Sequence, residues 1–151
     1  MATKVLMVCL GNICRSPLAE GILQSKVDSD VVIVDSAGTG GYHIGSQPDS
    51  RSISVGLKYK IDIRNQRCRK FIPNDFEDFD LIYVMDKSNY ANVIAQANHN
   101  HEIVKVRLLL NELGPGDKEV PDPYYDDDGF EHVFNLIDEA CEVIANNLNS
   151  N

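Results

Sequence analysis

The sequence predicts an α/β fold in which a four-stranded parallel sheet is doubly wound, with helices on both faces in three α/β/α layers. Two observations lead to this prediction. Apolar runs of strand length recur four times along the chain, and helical segments alternate with them. Such alternation is typical of a parallel sheet covered by helices. At 151 residues the chain is most simply one unit, so we expect residues 1–151 to form a single domain.

The predicted strands are rich in aliphatic and β-branched residues. They are the runs at 5–8, 31–34, 81–85 and 103–106. The run at 81–85 is continuous enough to be buried on both faces, as parallel strands are. In open sheets of this kind a ligand binds beyond the carboxyl ends of the strands, near a switch in strand order. We therefore expect function in the loops that follow the strands.

Helix signals follow the strands. Ser16 suits an N-cap and Pro17 a first helical position. A second helix is predicted to start near Asp49, although Gly56 inside it lowers the helical propensity. A third helix follows Asp86, whose side chain is suited to cap it.

The C-terminal part of the chain is predicted to be a long loop and then a helix. The loop from 114 to 128 lacks periodicity, and loops of that length in compact domains tend to be functional. Cys141 lies on the apolar face of the helix and is interpreted as inert core. That face, which we expect to pack on the sheet, consists of Val133, Ile137, Ala140, Ile144 and Leu148.

Composition limits the classes of partner. A formal net charge of −9 argues against nucleic acid or an anionic membrane. No apolar run has the roughly 18 residues of a membrane span, and the first residues lack the apolar segment of a signal peptide. The four cysteines have neither metal-knuckle nor secreted-framework spacing. His99 and His101 are interpreted as surface residues, because two residues apart they suit no metal. We expect a cytoplasmic protein without metal or cofactor.

The basic stretch at 64–70 has two interpretations. A solvated face is the one we favour, and a protein-docking site is the alternative.

The loop between Cys9 and Arg15 is the candidate functional element. It joins a strand end to a helix start, where backbone N–H groups and the helix dipole favour an anion. Such a setting lowers the pKa of a thiol from about 8.5 to roughly 3.5–7.5, and an arginine fork can bind two phosphate oxygens. One loop thus offers a nucleophile and an oxyanion clamp. A merely packed cysteine beside a solvated arginine is disfavoured because of the residues around them: Gly11, Asn12, Ser16 and Pro17.

The pattern Cys-x5-Arg-Ser is the signature loop of cysteine-dependent phosphatases. Near the N-terminus, the motif Cys-Leu-Gly-Asn-Ile-Cys-Arg-Ser-Pro closely resembles that of the low-molecular-weight protein tyrosine phosphatases. That family places its proton donor in a late Asp-Pro-Tyr motif, and residues 122–125 match it. Taken alone, those four residues would be an Asp-Pro turn. The resemblance implies the phosphotyrosine protein phosphatase I-like fold and hydrolysis of phosphotyrosine, with small aryl phosphates as further substrates.

The chemistry assigns a role to each motif residue. Cys9 would attack phosphorus and form a phosphocysteine. Arg15 and the loop amides would hold the equatorial oxygens, and the Ser16 hydroxyl would hydrogen-bond the sulfur. Asp122 would protonate the leaving oxygen and then activate water. Asn12 would fix the loop from below. The loop positions expected to bind phosphate or substrate are Leu10, Gly11, Asn12, Ile13 and Cys14.

The resemblance implies further residues around the pocket. Ser36 belongs to the network beneath the loop, Tyr42 forms an aromatic wall, and Tyr124 and Tyr125 shape the mouth. In relatives with a second cysteine at the position of Cys14, that cysteine can form a reversible disulfide with the nucleophile.

A histidine that often supports the phosphate loop in relatives is absent here. Asn65 and Gln66 are the nearest positions.

Three alternatives remain open. Thioredoxin-coupled arsenate reductases need two further cysteines near the third strand, where this chain has none, and Cys68 lies upstream without an evident partner. Protein-arginine phosphatases carry threonine where this chain has Ile13, an apolar residue that favours a flat phenyl ring. A non-catalytic phosphoprotein-binding module would not need Asp122. As partners we expect tyrosine-phosphorylated proteins, with a tyrosine kinase among the candidates, and a monomer is favoured.

Overall fold

Four parallel strands form the sheet in this computed structural model, which describes residues 2–125 and 128–149. The strand order is β2-β1-β3-β4, so the predicted four-stranded parallel sheet is confirmed. β1 lies between β2 and β3, and the strand order therefore switches beside it. The strands are β1 (Thr3–Cys9), β2 (Val32–Gly38), β3 (Leu81–Val84) and β4 (Val106–Leu108).

Helices cover both faces of the sheet. The bounds are α1 (Arg15–Lys26), α2 (Ser50–Lys58), α3 (Asp75–Asp78), α4 (Lys87–Ile94), α5 (Asn100–Ile103) and α6 (Gly129–Asn149). Two 3-10 helices, Leu109–Leu113 and Pro123–Tyr125, lie between β4 and α6. Among the described residues no helix is long and apolar enough to cross a membrane.

β1 supplies side chains to two separate cores, one on each face. Val5 and Met7 pack with residues of α1 and α6, whereas Leu6 and Val8 pack with Phe76 of α3 and other residues of the opposite face. Alternate side chains of a strand point to opposite faces, so a strand buried on both sides is apolar throughout. The expected stripe of α6 is confirmed, since its central residues are buried against the sheet.

Three predicted boundaries are wrong. The second strand was expected at 31–34 but spans Val32–Gly38, because its pairing with β1 continues as far as Cys9 and Gly38. The fourth strand was expected at 103–106 but begins at Val106, because Asn98 and His99 donate their N–H groups to the Glu102 carboxylate (2.7 and 3.1 Å). Those bonds hold a helical turn that overrides the β-branched run. Ser16 is not the N-cap of α1, since the helix begins one residue earlier at Arg15.

The caps predicted for the next helices are present. Asp86 accepts a hydrogen bond from the Asn89 N–H (2.7 Å) at the start of α4. At the start of α2, the Asp49 side chain accepts a hydrogen bond from the Arg51 N–H (2.9 Å).

Gly56 has a packing reason to be glycine. A Cβ built there lies 2.7 Å from the Ile61 carbonyl oxygen, because the chain folds back after α2 and the Ile61 N–H donates to Gly56 O (2.8 Å). In an open helix, replacing glycine by alanine stabilises by about 1 kcal/mol. Here we predict that Gly56→Ala instead destabilises by about 1–3 kcal/mol, as overpacking does.

Urea unfolding of the wild type and Gly56→Ala measures this difference. Ser54→Ala, an exposed position of the same helix, is the matched control and should change stability by less than about 0.5 kcal/mol. A stabilised Gly56→Ala protein would show that the turn after α2 can move away from the added methyl group at little cost.

Candidate active site

A cavity of about 140 Å³ lies beyond the carboxyl end of β1. It brings together Cys9, Arg15 and Asp122, which are far apart in sequence. The other lining residues are Leu10, Gly11, Ile13, Cys14, Tyr42, His43, Pro123 and Tyr124. His43 is a lining residue that sequence reasoning did not single out. A larger cavity of about 620 Å³ has a different lining, which includes Glu20 and Gln66 but not Cys9.

The carbonyl groups of the loop after β1 point away from this cavity. A planar trans peptide directs the following N–H opposite to each carbonyl, so the N–H groups of 10–12 and 14 face inward. Four such carbonyls accept bonds from outside the loop: Cys9 O from Thr39 N–H (2.9 Å), Leu10 O from Gly40 N–H (2.9 Å), Gly11 O from Cys68 Sγ (3.0 Å) and Ile13 O from Asp49 N–H (2.7 Å). The loop is therefore an anion cradle built from backbone dipoles.

The Cys9 sulfur has two hydrogen-bond partners. The Asn12 N–H donates to it (3.2 Å), and the Ser16 hydroxyl lies 3.0 Å away. The Asn12 side-chain amide, which can only donate through its nitrogen, donates to Ser16 Oγ (2.8 Å). Ser16 Oγ accepts there, so its own proton can be donated either to Cys9 Sγ at 3.0 Å or to the Ala37 carbonyl at 3.5 Å.

Asn12 lies beneath the loop and bonds to it through both its backbone and its side chain. Its backbone is in the left-handed region (φ 56°), which asparagine tolerates better than most residues. The side-chain nitrogen also donates to Ser36 Oγ (3.0 Å), and the side-chain oxygen accepts from the Arg69 N–H (3.0 Å). Ser36 in turn donates to Glu20 Oε1 (2.7 Å). Ser36 thus connects Asn12 to Glu20.

The Arg15 guanidinium is buried and has fixed partners. Its Nη1 donates to Asp86 Oδ2 (2.8 Å) and to the Val120 carbonyl (2.9 Å). Asp86 follows β3, the neighbour of β1 in the sheet, so both residues reach the same edge. Sequence reasoning identified Asp86 as a cap and missed this pairing, although an acidic residue at the end of an adjacent strand was a usable signal.

Asp122 begins the turn that closes the cavity. Its Oδ1 accepts the Tyr124 N–H (3.0 Å), so the Asp-Pro turn is present as well. The carboxylate side chain is otherwise exposed, and the next residue, Pro123, is buried. Gly129 leaves no room for a Cβ beside the Pro123 carbonyl, which lets the start of α6 pack against this turn.

Tyr124 connects the two sides of the cavity. Its hydroxyl donates to Asp49 Oδ2 (3.1 Å) and lies 3.1 Å from Cys14 Sγ. Burial raises the pKa of Cys14 to about 11, so that thiol is protonated at neutral pH and can donate to Tyr124. The pKa of Tyr124 is raised as well, mainly by burial and secondly by the hydrogen bond with Cys14. The Arg51 guanidinium stacks on the Tyr124 and Phe130 rings, 4.7 Å from each centroid.

The remaining predicted residues lie as follows. Leu10 and Tyr42 line the cavity with exposed side chains, and the Tyr125 side chain lies outside the described residues, as do Asp126 and Asp127. Gln66, near the position of the missing histidine, donates to the Pro17 carbonyl of α1 (3.0 Å).

The interpretation of residues 64–70 as a solvated face is wrong for Cys68 and Arg69. Cys68 is buried, and its thiol donates to the Gly11 carbonyl in the loop after β1. The Arg69 side chain forms ion pairs with Asp35 and Asp75 (3.1 Å each).

Comparisons with known proteins agree with this geometry. The family model described as low molecular weight phosphotyrosine protein phosphatase matches residues 4–151. The chain is 41% identical over 134 residues to the Schizosaccharomyces pombe protein of that name, covering 84% of this chain and 85% of the other. A crystal structure of a protein tyrosine phosphatase from Entamoeba histolytica, with Hepes in its active site, superposes with a TM-score of 0.91 at 35% identity, covering 99% and 98% of the two chains.

The Bacillus subtilis protein YfkJ is also similar. Its crystal structure has a TM-score of 0.88 at 34% identity and covers 99% of this chain and 96% of its own. The family resemblance seen in the motifs and the predicted fold class are therefore confirmed.

The pH dependence of stability should report on Glu20. Burial raises its pKa from 4.5 to about 7, and Asp35 adds to that effect, whereas Ser36 and Arg69 oppose it. Since the pKa is higher in the folded state, stability present below pH 4.5 is lost as the pH rises to about 7. The loss is on the order of 2–3 kcal/mol. Glu20→Gln stays neutral and should not show it.

Urea unfolding at pH 4.5, 5.5 and 7 measures the loss as the difference between the wild type and Glu20→Gln. Glu139→Gln removes an exposed carboxyl of α6 and serves as control, because its profile should parallel that of the wild type. If the free energy of unfolding of Glu20→Gln varied with pH in the same way as that of the wild type, Glu20 would be charged in the folded protein even at low pH.

Proposed function

Because the chain belongs to the low molecular weight phosphotyrosine protein phosphatase family, we propose that it hydrolyses phosphotyrosine in proteins, and small aryl phosphates, to the phenol and inorganic phosphate. The observation that carries this proposal is one cavity lined by a thiol, a guanidinium and a carboxyl group, those of Cys9, Arg15 and Asp122. The proposed substrates are tyrosine-phosphorylated proteins of the cytoplasm, where a nucleophilic thiol stays reduced.

In the first step the Cys9 thiolate attacks phosphorus. An S–P bond forms and the bond from phosphorus to the phenolic oxygen breaks, while Asp122 gives its proton to that oxygen. The inward N–H groups of the loop and the Arg15 guanidinium hold the equatorial oxygens. The bonds from Asp86 and Val120 keep Arg15 in place before substrate arrives, which lowers the cost of ordering it.

In the second step water attacks the phosphocysteine. Asp122, now a carboxylate, takes a proton from the water as it attacks, and the S–P bond breaks to release phosphate. The Ser16 hydroxyl lies 3.0 Å from the departing sulfur and can donate its proton there, since the Asn12 amide donates to its oxygen and the other acceptor within reach, Ala37 O, is farther away at 3.5 Å. A hydrogen bond at that point stabilises the negative charge that returns to Cys9.

The cavity walls favour an aryl group. Ile13, Tyr42 and Tyr124 present apolar surface around a polar floor, and flat aromatic surfaces pack well against a phenyl ring. A phosphorylated guanidinium would bring its four remaining N–H donors to this same surface, where the Ile13 side chain offers no acceptor. These walls therefore support phosphotyrosine over phosphoarginine.

We predict that Cys9→Ser abolishes turnover while orthovanadate still binds. A serine hydroxyl is ionised far less than a thiol at neutral pH, but the loop amides and Arg15 remain. Hydrolysis of p-nitrophenyl phosphate and vanadate titration by calorimetry measure the two properties. Cys141→Ala, which removes a buried thiol of α6 remote from the cavity, should keep its turnover. Turnover by Cys9→Ser would assign the nucleophile elsewhere.

The acid is tested by Asp122→Asn, which keeps an oxygen to accept the Tyr124 N–H but cannot donate a proton as Asp does. Tyrosine has a pKa near 10, so its phenolate needs protonation far more than an acidic nitrophenolate does. Turnover of phosphotyrosine should fall on the order of 10²–10⁴-fold, and burst kinetics with nitrophenyl phosphates should change much less.

The matched control is Asp117→Asn, the same change in the same loop but outside the cavity lining. It should hydrolyse the whole series of phenyl phosphates at wild-type rates. An equal loss for every leaving group in Asp122→Asn would exclude Asp122 as the acid.

A further inference from the structure

The peptide unit between Gly11 and Asn12 is hydrogen-bonded at both ends. Its N–H, on Asn12, donates to the Cys9 sulfur (3.2 Å), and its carbonyl, on Gly11, accepts from Cys68 Sγ (3.0 Å). A peptide that accepts at oxygen is polarised and becomes a stronger donor at nitrogen. Cys68 thus contacts the nucleophile through a single peptide group.

Cys68 is suited to be the donor in this contact. Its side chain is buried, 4% exposed, and burial raises the pKa of its thiol, with the neighbouring Cys9 adding to the shift. A protonated thiol has one hydrogen to donate. The backbone of Cys68 is fixed as well, since its N–H donates to Ser46 O (2.9 Å) and its carbonyl accepts from the Gly45 N–H (2.8 Å).

The next residue, Arg69, attaches to the same part of the loop. Its N–H donates to Asn12 Oδ1 (3.0 Å). Its guanidinium is anchored by Asp75, which is buried, and by Asp35 of β2. Two consecutive residues therefore hold both the backbone and the side chain of the Gly11–Asn12 turn; Arg69 is tied to β2 and α3, and Cys68 to the loop residues Gly45 and Ser46.

We propose that the Cys68–Arg69 segment is a positioning element of the nucleophile, in which the Cys68 thiol fixes and polarises the Gly11–Asn12 peptide that holds the Cys9 sulfur. Cys68 touches neither substrate nor phosphorus and acts only through that peptide. The proposal rests on the proposed role of Cys9.

Alkylation of Cys9 by iodoacetate tests the proposal without requiring turnover. Two pairs of variants differ mainly in the hydrogen bond: Cys68→Ala against Cys68→Ser, and Cys68→Val against Cys68→Thr. Cys68→Ala and Cys68→Val, which lack the donor, should be alkylated at Cys9 about two- to threefold more slowly near pH 6. The reason is that each hydrogen bond in a chain strengthens the next by about 10–30%, here the bond from the Asn12 N–H to the Cys9 sulfur. The pH profile of the alkylation rate in these two variants should be displaced to higher pH by about a few tenths of a unit. The hydroxyl members should recover at least half of the difference.

Mass spectrometry assigns the alkylated residue, and the pH dependence of kcat/KM should show the same order of variants. If Cys68→Ala does not fold, the valine–threonine pair carries the comparison. Profiles that coincide with the wild type, or a serine variant as slow as the alanine one, would overturn the proposal in favour of simple packing. If Cys9→Ser keeps its turnover, the proposed function fails while the alkylation result still stands.

Discussion

The phosphate loop depends on the side chain of one residue in an unusual backbone conformation. Asn12 has a positive φ, and its amide bonds to Ser16, Ser36 and the backbone of Arg69. These three bonds offset the conformational cost of the left-handed region, which amounts to about 1–3 kcal/mol for strained residues. They also place the Asn12 N–H and the Ser16 hydroxyl beside the Cys9 sulfur, at 3.2 and 3.0 Å. The same side chain thus shapes the loop and orients both donors to the nucleophile.

The order of the strands explains how distant residues meet at that loop. β1 has β2 on one side and β3 on the other, so the chain leaves three neighbouring strands at one edge of the sheet. Arg15 follows β1, Asp86 follows β3, and Ser36 lies near the end of β2. A ligand site at the switch in strand order is what a doubly wound sheet provides, and here each neighbour of β1 contributes a group that orders the loop.

The alternation of apolar runs with helix signals was sufficient for the fold class. Cys9 and Arg15 were proposed from the spacing of one short motif, whereas Asp122 was proposed from the family resemblance, because its Asp-Pro pair alone indicates a turn. The position of Asp86 after a strand is visible in the sequence, but its pairing with Arg15 also requires β3 to lie beside β1. The contact of Cys68 with Gly11 depends on the path of an irregular segment, which no local pattern encodes. The shift of β4 has a similar origin, because the Glu102 carboxylate overrides a β-branched run through two backbone N–H groups.

The charge of the whole chain and the charge of its cavity work in opposite directions. With a net charge of −9 the chain repels a phosphate dianion at long range. At long range Arg15 does little to reverse this, because Asp86 compensates its charge at 2.8 Å. The attraction therefore acts at short range, through the donors of the Arg15 guanidinium and the inward N–H groups of the loop, whose dipoles act over a few ångströms. Binding is consequently governed by the fit of a tetrahedral phosphate into the cradle, and the carbonyl bonds that hold the cradle open are part of that selectivity.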